Sequence, residues 1–122
     1  MITTLDNIPD NMVGFVASGE VSKEDFDQVV LPAAKALVNK QGKLNYLMQI
    51  DTDLKNFTLG AWAKDMLLGI QQFGKWNRCA IVSDSSTIKK VTDVVSVLVP
   101  GEFKGFEKSD LSKAIAWVSE TA

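Results

Sequence analysis

Residues 44–69 constrain the fold more than any other stretch of this chain. Leu44-Asn45-Tyr46-Leu47-Met48-Gln49-Ile50-Asp51 is a short apolar run that ends in an acid. A polar loop follows, and Phe57-Thr58-Leu59-Gly60-Ala61-Trp62 opens a long apolar-striped segment. A run of that length suits a buried strand, and apolar residues at helical spacing after it suit a helix packed on the same sheet. Strand, loop and helix in that order form the unit from which wound α/β sheets are built. In such sheets a site sits outside the carboxyl end of a central strand, beside the start of the following helix. The stretch therefore marks a place for a site without naming a substrate.

The flanking sequence extends this pattern. Residues 2–5 and 12–17 read as the two strands of a hairpin, joined through a turn-rich connection containing Asp6, Pro9 and Asp10. Ser22 and Asp25 have N-cap spacing, and residues 23–38 place Phe26, Val29, Val30, Ala33 and Leu37 on one helical stripe. Pro32 lies inside that helix, and its missing N–H and its ring predict a kink or break near residues 28–32. Gly42 closes the unit. The next helix, 58–73, carries Leu59, Trp62, Met66, Ile70 and Phe73 on one stripe. Residues 78–83 form a strand around Cys79-Ala80-Ile81-Val82, and Asp84-Ser85-Ser86 caps a helix at 87–98. A short strand at 102–106, a cap at Ser109-Asp110 and a helix at 111–118 complete the chain.

The expected architecture is a single α/β domain over residues 1–122. Its sheet is mixed and mostly parallel, with elements in the order β-β-α-β-α-β-α-β-α. Strands joined by helical crossovers run parallel, and the opening hairpin supplies the antiparallel pair. Asn45 and Gln49 interrupt the central strand, which predicts a face only partly covered.

Composition narrows the function. With 122 residues, 46% of them hydrophobic, the chain can bury a real core. A net charge of -2 with dispersed lysines gives no basic field for nucleic acid or an anionic membrane. There is no histidine, so no imidazole base, no Ser–His or Cys–His pair and no His-ligated metal can be built. The single cysteine, Cys79, lies in an apolar run and reads as a small buried hydrophobe rather than a nucleophile. No apolar run approaches the ~20 residues that cross a bilayer, and the start lacks the pattern of a signal peptide, so a cytoplasmic location is expected. Asp51 and Asp53, two residues apart, are compatible with a metal or acid/base pair, but no third ligand accompanies them and solvated loop carboxylates are the plainer reading. An enzyme would have to use Asp51, Asp53, Lys55 and Asp84 at adjacent strand ends. The expectation is therefore a non-enzymatic protein without cofactor or metal.

Several segments taken together resemble one family. They are Gly14-Phe15-Val16-Ala17-Ser18-Gly19, Asp25-Phe26 with Leu31-Pro32-Ala33, and Phe57-Thr58-Leu59-Gly60-Ala61-Trp62 with Asp65. Trp76-Asn77-Arg78-Cys79-Ala80-Ile81-Val82-Ser83-Asp84 and Phe106 with Ala114-Ile115-Ala116-Trp117-Val118 continue the likeness. In these the chain resembles the SpoIIAA-like family, relatives of the STAS domains of bacterial anti-sigma factor antagonists and sulfate transporters, with structural similarity to the lipid-binding half of CRAL-TRIO proteins.

The resemblance implies a regulatory or protein-interaction module. In anti-sigma factor antagonists a serine in an Asp-Ser-Ser-Gly-like turn at the start of the second helix is a phosphorylation switch. The equivalent place here is Asn56-Phe57-Thr58-Leu59-Gly60, where Thr58 is the one hydroxyl and the acid and paired serines are missing. Thr58 thus reads first as an N-cap and second as a phosphosite. Asp84-Ser85-Ser86 opens the third helix and is out of position for the switch. The candidate switch and interaction site comprises Thr58, Asp51, Asp53 and Trp62, docking an unidentified protein partner. The alternative, from the CRAL-TRIO likeness, is an apolar small molecule held in a groove or dimer interface by Trp62, Met66, Phe73, Val94 and Val97. The surplus apolar surface of the second helix favours a homodimer.

Overall fold

The computed structural model describes residues 1–20, 22–51, 76–84 and 102–120. Strands β1 (Ile2–Thr4), β2 (Val13–Ala17), β3 (Leu44–Ile50), β4 (Trp76–Ser83) and β5 (Glu102–Glu107) form one five-stranded sheet, ordered in space as in the chain. β1 and β2 are antiparallel, and every later junction is parallel. The hairpin-then-crossover pattern expected from the sequence is therefore present. The helices expected at 58–73 and 87–98 lie outside the described residues.

Side chains alternate across a strand, so the sheet has two apolar faces. On one, Phe15 and Ala17 of β2, Tyr46, Met48 and Ile50 of β3 and Cys79 and Ile81 of β4 pack against Val30, Ala34 and Leu37 of the first helical segment. Phe15 and Tyr46 stack there with centroids 5.5 Å apart at 44°. On the other, Leu47, Ala80 and Val82 meet Met12 and the helix α3 (Leu111–Ser119) through Ala114 and Val118. Gly14 faces this second side, where a Cβ would stand 3.0 Å from Leu5 Cδ1 and 3.3 Å from Ile8 Cδ1. Its missing side chain is what lets the β1–β2 connection lie down on the sheet.

Asn45 corrects the expectation of a partly covered face. It shares the second side with Leu47 but is only 1% exposed, and Gln49 alone in β3 is half-buried. Amide partners allow a polar residue to be buried at that position.

The first helical segment runs through Pro32 without a break. Ser22 and Asp25 form the expected start, with the Ser22 amide donating to Asp25 Oδ2 at 2.9 Å and the Asp25 amide to Ser22 Oγ at 3.4 Å. This is a capping box with aspartate as the reciprocal acid. The Ser22 amide also holds the Asp25 carboxyl below its usual pKa. A short α-helix, α1 (Lys23–Asp25), then widens into a π turn over Phe26–Val30 and resumes as α2 (Leu31–Gln41). The widened turn leaves Pro32 in the first turn of α2, where a missing N–H costs least. Gly42 closes α2 at φ 78°, donating its N–H to the Val38 carbonyl at 2.8 Å.

A 3-10 turn, Lys108–Asp110, leads from β5 into α3. Asp110 stands at the N-cap of α3 but makes no side-chain capping bond, contrary to the expected cap. The 3-10 turn supplies the entry geometry in its place. Among the described residues no helix is long and apolar enough to cross a membrane.

Candidate functional site

The carboxyl ends of the parallel strands converge on Asp51. Its amide donates to the Ala17 carbonyl at the end of β2, 2.8 Å away. The preceding carbonyl, of Ile50, accepts from Ser83 Oγ at the end of β4 at 3.0 Å. Gln49 Nε2 donates to both Asp51 carboxylate oxygens, at 3.1 and 3.0 Å. Lys108 Nζ, in the turn that follows β5, lies 3.0 Å from Asp51 Oδ1. Register explains the meeting. Gln49 pairs with Val82 and Ser83 with Glu107, so Asp51, Asp84 and Lys108 follow one another across the ends of β3, β4 and β5.

Of the site residues expected from the sequence, Asp51 is at this rim and Asp84 is exposed beside it. Asp53, Thr58, Trp62, Met66, Phe73, Val94 and Val97 lie outside the described residues, as do Lys55, Ser85 and Ser86. Lys108 was not singled out by sequence. Its signal is positional: it is the first residue after β5, whose register on β4 brings it to the strand ends beside Asp51.

The rim is organised for holding more than for bond-making. The Asp51 carboxylate is met by an ammonium and an amide, and the Ser83 hydroxyl is spent on a main-chain carbonyl. A hydroxyl that is 1% exposed and donates to a main-chain carbonyl is held as a structural tie between β4 and β3. Deeper in the sheet, burial pushes the Cys79 thiol and the Tyr46 phenol well above their ordinary ranges, so both stay protonated at neutral pH. Among the described residues no three His, Cys, Asp or Glu side chains cluster as metal ligands.

The opposite rim, at the amino ends of the strands, carries polar chains that sequence patterning missed. Asn77 Nδ2 donates to Asn45 Oδ1 and Asn45 Nδ2 to the Asn11 carbonyl, each at 2.8 Å. Gln41 Nε2 reaches the same carbonyl at 2.9 Å, and Asn11 Nδ2 reaches the Ser119 carbonyl at the end of α3 at 2.7 Å. Beside them Arg78 donates to the Trp117 carbonyl at 2.6 Å, to Glu120 Oε2 at 3.0 Å and to Glu102 Oε2 at 2.9 Å, with its guanidinium 4.9 Å from the Trp117 ring centroid. These contacts tie the last turn of α3 to the sheet. Asn45 and Asn77 each stand second in a strand, which is the one sequence signal available.

A family model described as SpoIIAA-like matches residues 12–119. Among solved structures, the chain is similar to an uncharacterized protein with a SpoIIAA-like fold from Shewanella loihica PV-4. The two share 24% identity at a TM-score of 0.68, over 96% of this chain and 93% of that one. No curated protein matches the chain.

Proposed function

The chain belongs to the SpoIIAA-like family, and we propose on that premise that it is a non-enzymatic regulatory module that docks a protein partner through the helix beginning near Thr58. Family and fold support a regulatory or interaction module in general terms. The observation that carries the finer reading is the rim around Asp51. Four strand ends converge on the last residue before the segment that holds Thr58 and Trp62, and the polar groups described there are bonded to one another or to the main chain. A connection leaving an ordered sheet end is a usual place for a fold to present a recognition surface.

The test is affinity purification of the tagged full-length chain from its own cells, with native mass spectrometry of what is retained. A stoichiometric protein partner should be recovered with the native chain and lost with Trp62→Asp, while the circular dichroism melt of the variant stays cooperative. Thr58→Asp should weaken the same complex if a phosphate at that helix start controls docking. Unfolding of Trp62→Asp would assign Trp62 to the core and overturn the docking role. A lipid or other apolar adduct in place of a protein would overturn the proposal in favour of an apolar-ligand site bounded by Trp62, Met66, Phe73, Val94 and Val97. The same spectrum reads whether the chain is a homodimer.

A further inference from the structure

We propose that Lys108 is a positioning residue: it fixes Asp51, and through Asp51 the point at which the chain leaves β3 for the docking helix. The functional half of this inference rests on the docking reading above, while its structural half stands on the rim geometry. Lys108 lies beyond β5, two strands away from β3, and its side chain passes the end of β4 to reach Asp51 Oδ1 at 3.0 Å.

Among the described residues, everything else that holds Asp51 is neutral and comes from nearer strands. Ala17 takes its amide, Ser83 takes the carbonyl before it, and Gln49 solvates both carboxylate oxygens. Among the described residues, Lys108 supplies the only positive charge at that carboxylate. The Ile50–Asp51 peptide group is held at both its carbonyl and its N–H, and Gln49 holds the carboxylate, so the ammonium meets a group with less freedom left to lose. The entropic cost that makes most surface ion pairs ineffective is thereby reduced. The far edge of the sheet thus reaches the exit of its central strand, an arrangement that positions a connection rather than stabilising a core.

The experiment uses the full chain and measures amide hydrogen exchange at residue 51, whose N–H is bonded to Ala17, with Leu47 and Met48 as core controls. Lys108→Met should speed exchange at residue 51 by about two- to fivefold, the worth of a partly exposed ion pair, and leave the controls unchanged. Lys108→Arg should restore the native rate. Asp51→Asn should match Lys108→Met, and the double variant should exceed neither single one. No change at residue 51, an equal rise in the controls, or failure of arginine to rescue would each overturn the assignment. Once a partner is in hand, Lys108→Met should weaken its binding by a similar factor without abolishing it. The exchange readout needs no partner, so a failed docking reading and a failed positioning role are told apart.

Discussion

Truncating Asn45 to alanine tests how the amino rim holds the sheet together. Asn45 accepts from Asn77 Nδ2 and donates to the Asn11 carbonyl, both at 2.8 Å, at a position 1% exposed. The Asn11 carbonyl keeps a second donor, Gln41 Nε2 at 2.9 Å, so it is not stranded when Asn45 goes. The Asn77 amide loses its acceptor. One lost hydrogen bond at about 1 kcal/mol and one part-buried donor left unpaired at about 1–3 kcal/mol give an expected cost of ~2–4 kcal/mol. Asn77→Ala should cost ~1–3 kcal/mol, because it leaves Asn45 Oδ1 without its donor. The double variant removes donor and acceptor together, so its cost should fall short of the summed single costs by about 1 kcal/mol or more. Urea denaturation of the four proteins reads this directly, provided the m-values agree. Strict additivity, or a cost for Asn45→Ala below about 0.5 kcal/mol, would refute the view that this amide chain is a connected, buried network.

Leu47→Ala should cost ~2–5 kcal/mol in the same assay, since Leu47 is fully buried on the face of β3 that α3 covers and its loss leaves a cavity in that cluster. Cys79 should resist thiol reagents in the folded protein and react only at the rate of global opening; rapid labelling of the native state would contradict its place in β4. Because burial raises the thiol and phenol pKa values in the fold, the unfolded chain loses those protons first. Stability should therefore be intact below the ordinary thiol value of 9.0 and fall as pH rises beyond it, by up to about 1.4 kcal/mol per pH unit for Cys79, with Tyr46 adding its share above 10.0. Cys79→Ala should remove the first phase, and a flat profile in the native chain would count against the argument. Arg78→Met should lower the melting temperature and speed exchange in the last turn of α3, while Arg78→Lys should recover only part of the loss, because an ammonium lacks the planar fork that serves Trp117, Glu102 and Glu120 together. Equal melting temperatures for native and methionine forms would show that the clamp is idle.

The sheet was legible because its signals are local. Apolar runs at 44–50 and 78–83, the turn residues around Pro9 and the helical stripe at 23–38 each declare an element within a few residues, and chirality and crossover rules assemble them. Pro32 announced a disturbance, but the choice of a π turn over a break depends on how α2 seats against Phe15 and Tyr46, which is a tertiary matter. Asn45 misled for a related reason. A polar residue in an apolar strand signals either exposure or a buried partner, and its partners here, Asn11 and Asn77, are 34 and 32 residues away. The carboxyl rim was located through Asp51, whereas Lys108 was missed because the acid it meets stands at the end of another strand, far away in sequence. Its partner is set by register across β4.

A sheet whose spatial order is its chain order has a consequence for synthesis. Among the described strands none is inserted between two earlier ones, so each one emerging from the ribosome joins an edge that already exists, and the sheet can grow in one direction as the chain lengthens. The two faces do not mature together. Val30, Ala34 and Leu37 are available before β3 is made, while Ala114 and Val118, which pack against Leu47, Ala80 and Val82, come last among the described elements. A nascent chain stalled before Leu111 would carry that second face without α3 against it, and it is there that a chaperone would find its grip.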